Sequence, residues 1–240
     1  VTRIAVLSDI HGNLPALEAV VADAEARGCD AFANLGDILS GPLWPRETAE
    51  YLMARDWPTI AGNHERQVLS DPVEATGPSD MFVREQCAPE QLAWIAALPE
   101  TMKLPGAWCT HAQPGCDDEY LLETVEGQGV RPASEDEIEA RLRGARHDLI
   151  LVGHSHLQKI VTLSDGRRIA NPGSVGLPAY EMDEPHRHWV ETGSTDARYL
   201  ILENGEPELI CVAYDFERAA RRAEQNGSKW ARYLREGLSR

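Results

Sequence analysis

The chain has 240 residues, 42% hydrophobic and 26% charged, which suffices for one well-buried core and is short for two ordinary domains. Its formal charge of −16 disfavours nonspecific adhesion to nucleic-acid backbones and anionic membranes. A small phosphorylated substrate remains compatible with that charge if something cationic, such as a bound metal, sits locally in the site. No stretch approaches the roughly 18 consecutive apolar residues of a membrane helix, and Val1 leads straight into a strand pattern without a basic and apolar leader, so the expected location is cytoplasmic. Cys29, Cys87, Cys109, Cys116 and Cys211 form no CxxC and are odd in number, which predicts buried reduced thiols rather than disulfides or a thiolate zinc site.

Ile4 to Leu7 is a continuous apolar run that ends at Ser8-Asp9. A helix opening at Asn13 with Pro15 follows, carrying Leu17, Val20, Val21 and Ala24 at helical spacing. Ala31 to Leu35 and Trp57 to Ala61 are further predicted strands, running into Gly36-Asp37 and Gly62-Asn63-His64-Glu65, with a helix from Arg46 to Arg55 between them. This βαβα order implies a largely parallel sheet whose carboxyl-end loops converge on one edge. The Pro-rich segment from Ser70 to Pro105, with a helical piece around Gln91 to Leu98, is expected to cover the core without contributing chemistry.

Ala107 to Thr110 delivers His111, and Leu149 to Val152 delivers Gly153-His154-Ser155-His156. Beyond His156 tight turns replace crossovers: Lys159 to Leu163 and Arg168 to Ala170 flank Ser164-Asp165-Gly166, while Ala197 to Leu202 and Leu209 to Tyr214 flank Asn204-Gly205. The second half is therefore expected to build a second, more antiparallel sheet against the first. Tyr180 to Thr195 interrupts this regularity and reads as a loop that tunes substrate choice, with Trp189 available to stack on a base or aryl group. Helical segments at about 217–238 close a single expected domain spanning 1–240.

Collected by position, the strand-end residues are Asp9, His11, Asp37, Asn63, His64, His111, His154 and His156, drawn from five loops. Alone, each has a bland explanation: a structural histidine, an N-cap or turn aspartate, a turn asparagine tolerating positive φ. His-x-His is expected by chance about 0.3 times in such a chain, whereas Gly-Asn-His followed by an acid is expected about 0.003 times. Five of the 8 histidines on successive strand ends, beside two aspartates and an asparagine, read together as ligands. Imidazoles, carboxylates and an amide oxygen suit Mn, Fe, Zn, Ni or Co, and one shared carboxylate would hold two ions about 3.5 to 4 Å apart.

Asp9-x-His11, Gly36-Asp37, Gly62-Asn63-His64-Glu65, His111 and Gly153-His154-Ser155-His156 resemble, in order, the five motifs of the calcineurin-like metallophosphoesterases, over residues 1 to about 176. Asn171-Pro172-Gly173-Ser174-Val175-Gly176, and Tyr214-Asp215 before a helix, resemble the family's small bacterial and archaeal phosphodiesterase branch. The resemblance implies an α/β fold, a two-sheet β-sandwich flanked by helices in four layers, α/β/β/α. It implies that Asp9, His11, Asp37 and His156 hold one divalent metal and that Asp37, Asn63, His111 and His154 hold another, Asp37 bridging them. Mn is the first expectation for both. His64 matches the family's catalytic histidine, with Glu65 either orienting it or standing as a solvated turn carboxylate.

The implied activity is hydrolysis of phosphodiester bonds in small substrates by attack of a metal-bound hydroxide. The arginines that the protein serine/threonine phosphatase branch places near its Gly-Asp and Gly-Asn-His motifs are missing, since Ile38-Leu39-Ser40-Gly41 follows Asp37 and Ala61 precedes Gly62. Ala112 after His111, and Leu177 and Ala179 after Gly176, also depart from the family pattern, so no substrate contact is assigned. Alternatives are a phosphomonoesterase, a dinucleoside polyphosphate hydrolase, and a noncatalytic scaffold like the retromer subunit that resembles this family but has lost its catalytic histidine. The expected partner is a small phosphoester, with no membrane and no nucleic acid; the sequence sets no oligomeric state.

Overall fold

The computed structural model describes residues 2–72 and 77–240. Residues 73–76 of the predicted covering segment lie outside the described residues, as does Val1. In chain order the elements are β1 (Arg3–Leu7), α1 (Leu14–Ala26), β2 (Ala31–Asn34), α2 (Pro45–Met53), α3 (Asn63–Val68), α4 (Pro78–Gln86), α5 (Pro89–Ala96), β3 (Thr101–Leu104), β4 (Ala107–Thr110), β5 (Glu123–Glu126) and β6 (Gly129–Pro132). They continue with α6 (Glu135–Arg141), β7 (Leu149–Val152), β8 (Lys159–Thr162), β9 (Arg168–Asn171), β10 (Ala179–Met182), β11 (His188–Glu191), β12 (Ala197–Glu203), β13 (Glu206–Val212), α7 (Phe216–Gln225) and α8 (Trp230–Glu236).

Two sheets face each other, in the orders β13-β12-β1-β2 and β3-β4-β7-β9-β8. Alternation along each strand sorts the side chains between layers. Ile4, Val6, Leu200 and Leu202 of the first sheet meet Cys109, Leu149, Leu151 and Ala170 of the second, forming the dry layer of a sandwich. The opposite faces are covered by helices: Ala5, Leu7, Tyr199 and Ile201 pack on Leu17, Val20 and Ala24 of α1, while Ile150, Val152 and Ile169 pack on Ile138 and Leu142 of α6 and its C-cap. This is the expected four-layer α/β/β/α arrangement.

Three expectations change. The run from Trp57 to Ala61 is not a full strand: Asn34 and Thr59 make a single parallel bridge, with Asn34 N donating to Pro58 O at 2.9 Å and Ile60 N to Asn34 O at 3.0 Å. Pro58 brings no N–H to a ladder, which limits the pairing. The second half of the chain does not build a sheet of its own. β12 joins the first sheet antiparallel to β1, and β9 joins the second sheet parallel to β7, so the halves interleave. Residues 180–195 are not an irregular loop either, because β10 and β11 pair antiparallel with Tyr180 opposite Val190 and Met182 opposite His188. Of the thiols, Cys29, Cys87 and Cys109 are buried as expected, Cys116 is half-buried and Cys211 is exposed.

Candidate functional site

β1 and β2 run parallel in one sheet, β4 and β7 in the other, and their carboxyl ends meet at one edge of the sandwich. Asp9 and His11 follow β1, Asp37 follows β2, Asn63 and His64 open α3, His111 follows β4, and His154 and His156 follow β7. The two sheets touch here: His154 N donates to Asp9 Oδ2 at 3.2 Å, and His156 Nε2 lies 3.4 Å from Asp9 Oδ1. Asp9, His11, Asp37, His154 and His156 all sit at φ between 52° and 66°. Non-glycine residues held there cost on the order of 1–3 kcal/mol each and persist where neighbours over-determine them. Backbone bonds between the loops do so: Asp9 N to Gly36 O at 3.0 Å, His11 N to Asp37 O at 3.0 Å, and Gly153 N to His111 O at 2.8 Å.

The histidines are oriented from behind. Nδ1 of His11 donates to Ser40 O at 2.7 Å, Nδ1 of His111 to Leu35 O at 2.7 Å, and Nδ1 of His156 to Leu177 O at 2.8 Å. In the neutral rings this leaves a lone pair on each Nε2. Those lone pairs converge: the Nε2 atoms of His11 and His156 are 3.1 Å apart, and His111 Nε2 lies 3.2 Å from both Asp37 Oδ2 and Asn63 Oδ1. His154 is buried with neither ring nitrogen hydrogen-bonded, and Asp9 Oδ1 is equally without a donor.

Acceptors packed this way repel one another unless a cation or proton lies between them. The donor set fits divalent metal, in two groups. Asp9, His11 and His156 form one, and Asp37, His111 and His154 the other, with the ligand atoms of each group within 4.8 Å of one another. Asn63 faces the second group through His111. Burial, with His156 beside it, pushes His11 down to about 3, and burial, with His111 beside it, pushes His154 down to about 4. Burial opposes a proton on His111 too, but Asp37 outweighs it and raises the ring to about 10. Without a metal, a proton takes the position between His111 and Asp37.

His64 stands outside both groups, its ring centroid 5.5 Å from that of His11. Its backbone N donates to Asp37 Oδ1 at 3.0 Å, and its Nδ1 lies 2.8 Å from Asp80 Oδ1. Burial disfavours the imidazolium, yet Asp37 and Asp80 prevail and raise His64 to about 9. Asp80, on α4 and 1% exposed, also accepts from Ser40 Oγ at 2.7 Å. Ser40 thus links His11, through its carbonyl, to the Asp80–His64 pair, through its hydroxyl. The Pro-rich covering segment therefore does contribute to the site. Sequence reasoning missed Asp80 because an acid in a helix's first turn after Gly77-Pro78 looks like ordinary capping chemistry.

Glu65 neither orients His64 nor meets solvent. It is 2% exposed, and its carboxylate accepts from the backbone N of Asp37, Ile38 and Gly62, each at 2.8 Å. It clamps the β2 loop to the start of α3. Gly62 is required in that clamp, since a Cβ there would fall 2.2 Å from Asp37 Oδ1.

The 171–176 motif is a brace. Asn171 Nδ2 donates to Gly153 O at 2.8 Å, Ser174 Oγ to Asp9 O at 2.7 Å, and Gly176 N to Asp9 O at 3.0 Å. Gly176 O accepts from Asn13 Nδ2, which also donates to Tyr214 Oη at 3.0 Å, while Asp215 caps α7 through Arg218 N. Aromatic rings wall the centre: Tyr120 against His154, Tyr180 against His156 and Trp230 against His11, with centroids at 5.2, 4.6 and 5.7 Å. His188, fully buried, ties the β10–β11 hairpin to this wall. Its Nδ1 donates to His186 O, so Tyr120 Oη donates to its Nε2 at 3.0 Å and receives from Tyr180 Oη at 3.0 Å. Trp189 points to the other face of β11, beneath Arg187 at 5.6 Å, and not toward the centre.

The family model for calcineurin-like phosphoesterases matches residues 2–158. An uncharacterized protein of Methanocaldococcus jannaschii is 29% identical over 252 residues, covering 94% of this chain and 93% of that protein. Among solved structures, a metallophosphoesterase from Sphaerobacter thermophilus superposes with a TM-score of 0.76 at 23% identity, over 98% of this chain and 99% of that one. A hypothetical protein from Pyrococcus horikoshii OT3 gives 0.77 at 19% identity, over 99% of each. With its motifs in order, its sandwich matched end to end and its two buried donor groups at the strand ends, the chain belongs to the calcineurin-like phosphoesterase family.

Proposed function

We propose that this chain, read as one domain over 1–240, is a cytoplasmic dinuclear-metal phosphoesterase that hydrolyses phosphodiester bonds of small substrates. The observation that carries the reading is the pair of buried donor groups with converging lone pairs, set beside a histidine that belongs to neither. Asp9, His11 and His156 would hold one cation and Asn63, His111 and His154 the other, with Asp37 shared; Mn is the first choice. When bound, the two cations supply Lewis acidity toward a phosphoryl group and toward water.

The chain's own residues do the rest. Asp37 and Asp9 keep the centre from carrying the full charge of two cations, and the three Nδ1-to-carbonyl bonds hold the imidazoles in register for binding. His64, its Nδ1 anchored on Asp80, carries a proton on Nε2 that it gives to the departing oxygen. The absence of the phosphatase-branch arginines favours diesters, whose single charge needs less compensation than that of a monoester. A noncatalytic scaffold is disfavoured by the presence of His64 and its support.

Purified protein reconstituted with Mn is expected to hydrolyse bis(p-nitrophenyl) phosphate faster than p-nitrophenyl phosphate; a monoester preference overturns the diester assignment. Asp37→Ala is expected to retain close to no metal and His11→Ala about one ion per chain by atomic spectroscopy. Equal retention of two in both variants removes the bridge.

A further inference from the structure

A cavity of about 590 Å³ opens beside Asn63, bounded by α3, the segment leading into β5, and the turn of the β10–β11 hairpin. Asn63 belongs both to its wall and to the edge of the second donor group, and Tyr120, also in the wall, lies against His154. One end of the cavity is therefore the metal centre.

Its charge is the opposite of what a phosphate chain needs. Asp118 and Glu119 stand on one side of the mouth and Glu184 on the other, all three exposed. Glu123 lies beneath them, 2% exposed, with Oε2 accepting no hydrogen bond. Nearby cations are already committed. Lys159 Nζ sits 2.5 Å from Glu123 Oε1, Arg66 pairs with Asp117 and Asp118 at 2.6 and 3.1 Å, and Arg141 donates to Leu121 O, Glu123 O and Thr124 Oγ1. Among the described residues, Arg141 is the cavity's one lining cation. Glu119 and Glu184 have no ion-pair partner among the described residues.

We infer that this cavity receives the alcohol part of the substrate and selects phosphoesters in which that part is neutral or cationic, against those carrying further phosphates or carboxylates. A phosphoryl group at the metals is compensated there; a second anion a few ångströms farther along meets carboxylates with no free guanidinium or ammonium to turn to. A quaternary or primary amine finds the reverse, with the carboxylates of Glu119 and Glu184 at the rim, while Glu123 below is already paired with Lys159. The dinucleoside polyphosphate reading is disfavoured on the same ground.

This inference rests on the phosphoesterase reading, so binding is measured apart from turnover. Phosphorylcholine, ethyl phosphate and phosphoglycolate share a phosphoryl group and differ in tail charge. Titration calorimetry of Mn-loaded His64→Ala at low salt is expected to rank them in that order, the outer pair differing about tenfold, the size expected for opposite unit charges a few ångströms from one net carboxylate in a largely aqueous medium. In a protein also carrying Glu119→Gln and Glu184→Gln the gap is expected to shrink to threefold or less, with metal content unchanged. Equal or tighter binding of phosphoglycolate in the first protein, or an undiminished gap in the second, overturns the inference. Wild-type turnover of the p-nitrophenyl ester of phosphorylcholine reads the parent claim separately: a preserved binding order with no hydrolysis of any ester sinks the hydrolase reading and leaves charge selection standing.

Discussion

His64 has one ring nitrogen committed to a buried carboxylate, which leaves Nε2 as the nitrogen available for proton exchange. That commitment fixes both tautomer and ring orientation, and it comes from α4, outside the motifs that supply His64 and the two donor groups. Asp80→Asn keeps the shape and removes the charge. It is expected to lower kcat about 10- to 100-fold, in the range typical of partners that orient a working side chain, while KM and metal content stay near wild type. The pH profile of kcat should change shape as well, which a purely structural role would not produce. Equal losses in kcat and metal content, or none in either, refute the positioning role. Ser40→Ala, which removes one donor to Asp80 and leaves the carbonyl that holds His11, should give a smaller effect of the same kind. The ligand-type residues were legible because each ends an apolar run. Asp80 was not, because its role depends on how a covering helix docks, and nothing local in the sequence encodes that.

At the scale of elements, the legible parts were those whose signal is local: the apolar runs of β1, β2, β4 and β7, the Pro-opened helix α1, and the turn chemistry of Ser164-Asp165-Gly166 and Asn204-Gly205. Sheet membership was not legible, since pairing of β12 with β1 joins residues 3 and 203 across nearly the whole chain. The β10–β11 hairpin escaped notice because its strands are short and its turn, around Glu184-Pro185, lacks the Asn-Gly or Asp-Gly signature. Its function as a wall depends on His188, whose bond to Tyr120 is the one polar tie that side chain makes across to the centre. His188→Ala is expected to cost about 1–3 kcal/mol of stability through the unsatisfied tyrosine hydroxyl and the void. KM for diesters should rise several-fold, with kcat and metal content retained. Trp189→Ala, on the opposite face, should leave KM unchanged. If the two variants behave alike, the hairpin is not the wall argued for.

Over the whole molecule the net charge of −16 is distributed so that many carboxylates fasten the periphery, and this sets how stability depends on pH. Glu217 is held below its ordinary value by the fork of Arg235, at 2.9 Å to each oxygen, which ties α7 to α8. Glu181 is lowered by Lys229, which reaches it at 2.8 Å and joins the hairpin to the start of α8, with Arg187 adding to the effect. Glu191 is lowered against its burial by the backbone N–H groups of Ser239 and Arg240, which anchor the chain end. For each, the native state holds fewer protons than the unfolded chain in the acid range. Their contribution is therefore present above the ordinary value of 4.5 and is lost as pH falls through the lower native values. At the other end, burial raises the Cys87 thiol to about 11 and the Cys109 thiol to about 12. These thiols stay neutral in the folded protein while the unfolded chain ionises from 9.0 upward, so their contribution is lost as pH rises toward the native values. In the metal-free protein the native His11 and His154 resist protonation down to about 3 and 4, and His64 and His111 hold their protons up to about 9 and 10. The expected profile of Tm is therefore a maximum near the ordinary imidazole value of 6.5 with a fall on both sides. Glu181→Gln combined with Glu217→Gln should lower the maximum and flatten the acid limb below about pH 5 while leaving the alkaline limb in place, as measured by calorimetry from pH 3 to 11 on one metal-free preparation of each protein. An acid limb of unchanged steepness in the double variant would show that these two ties are not what acid releases.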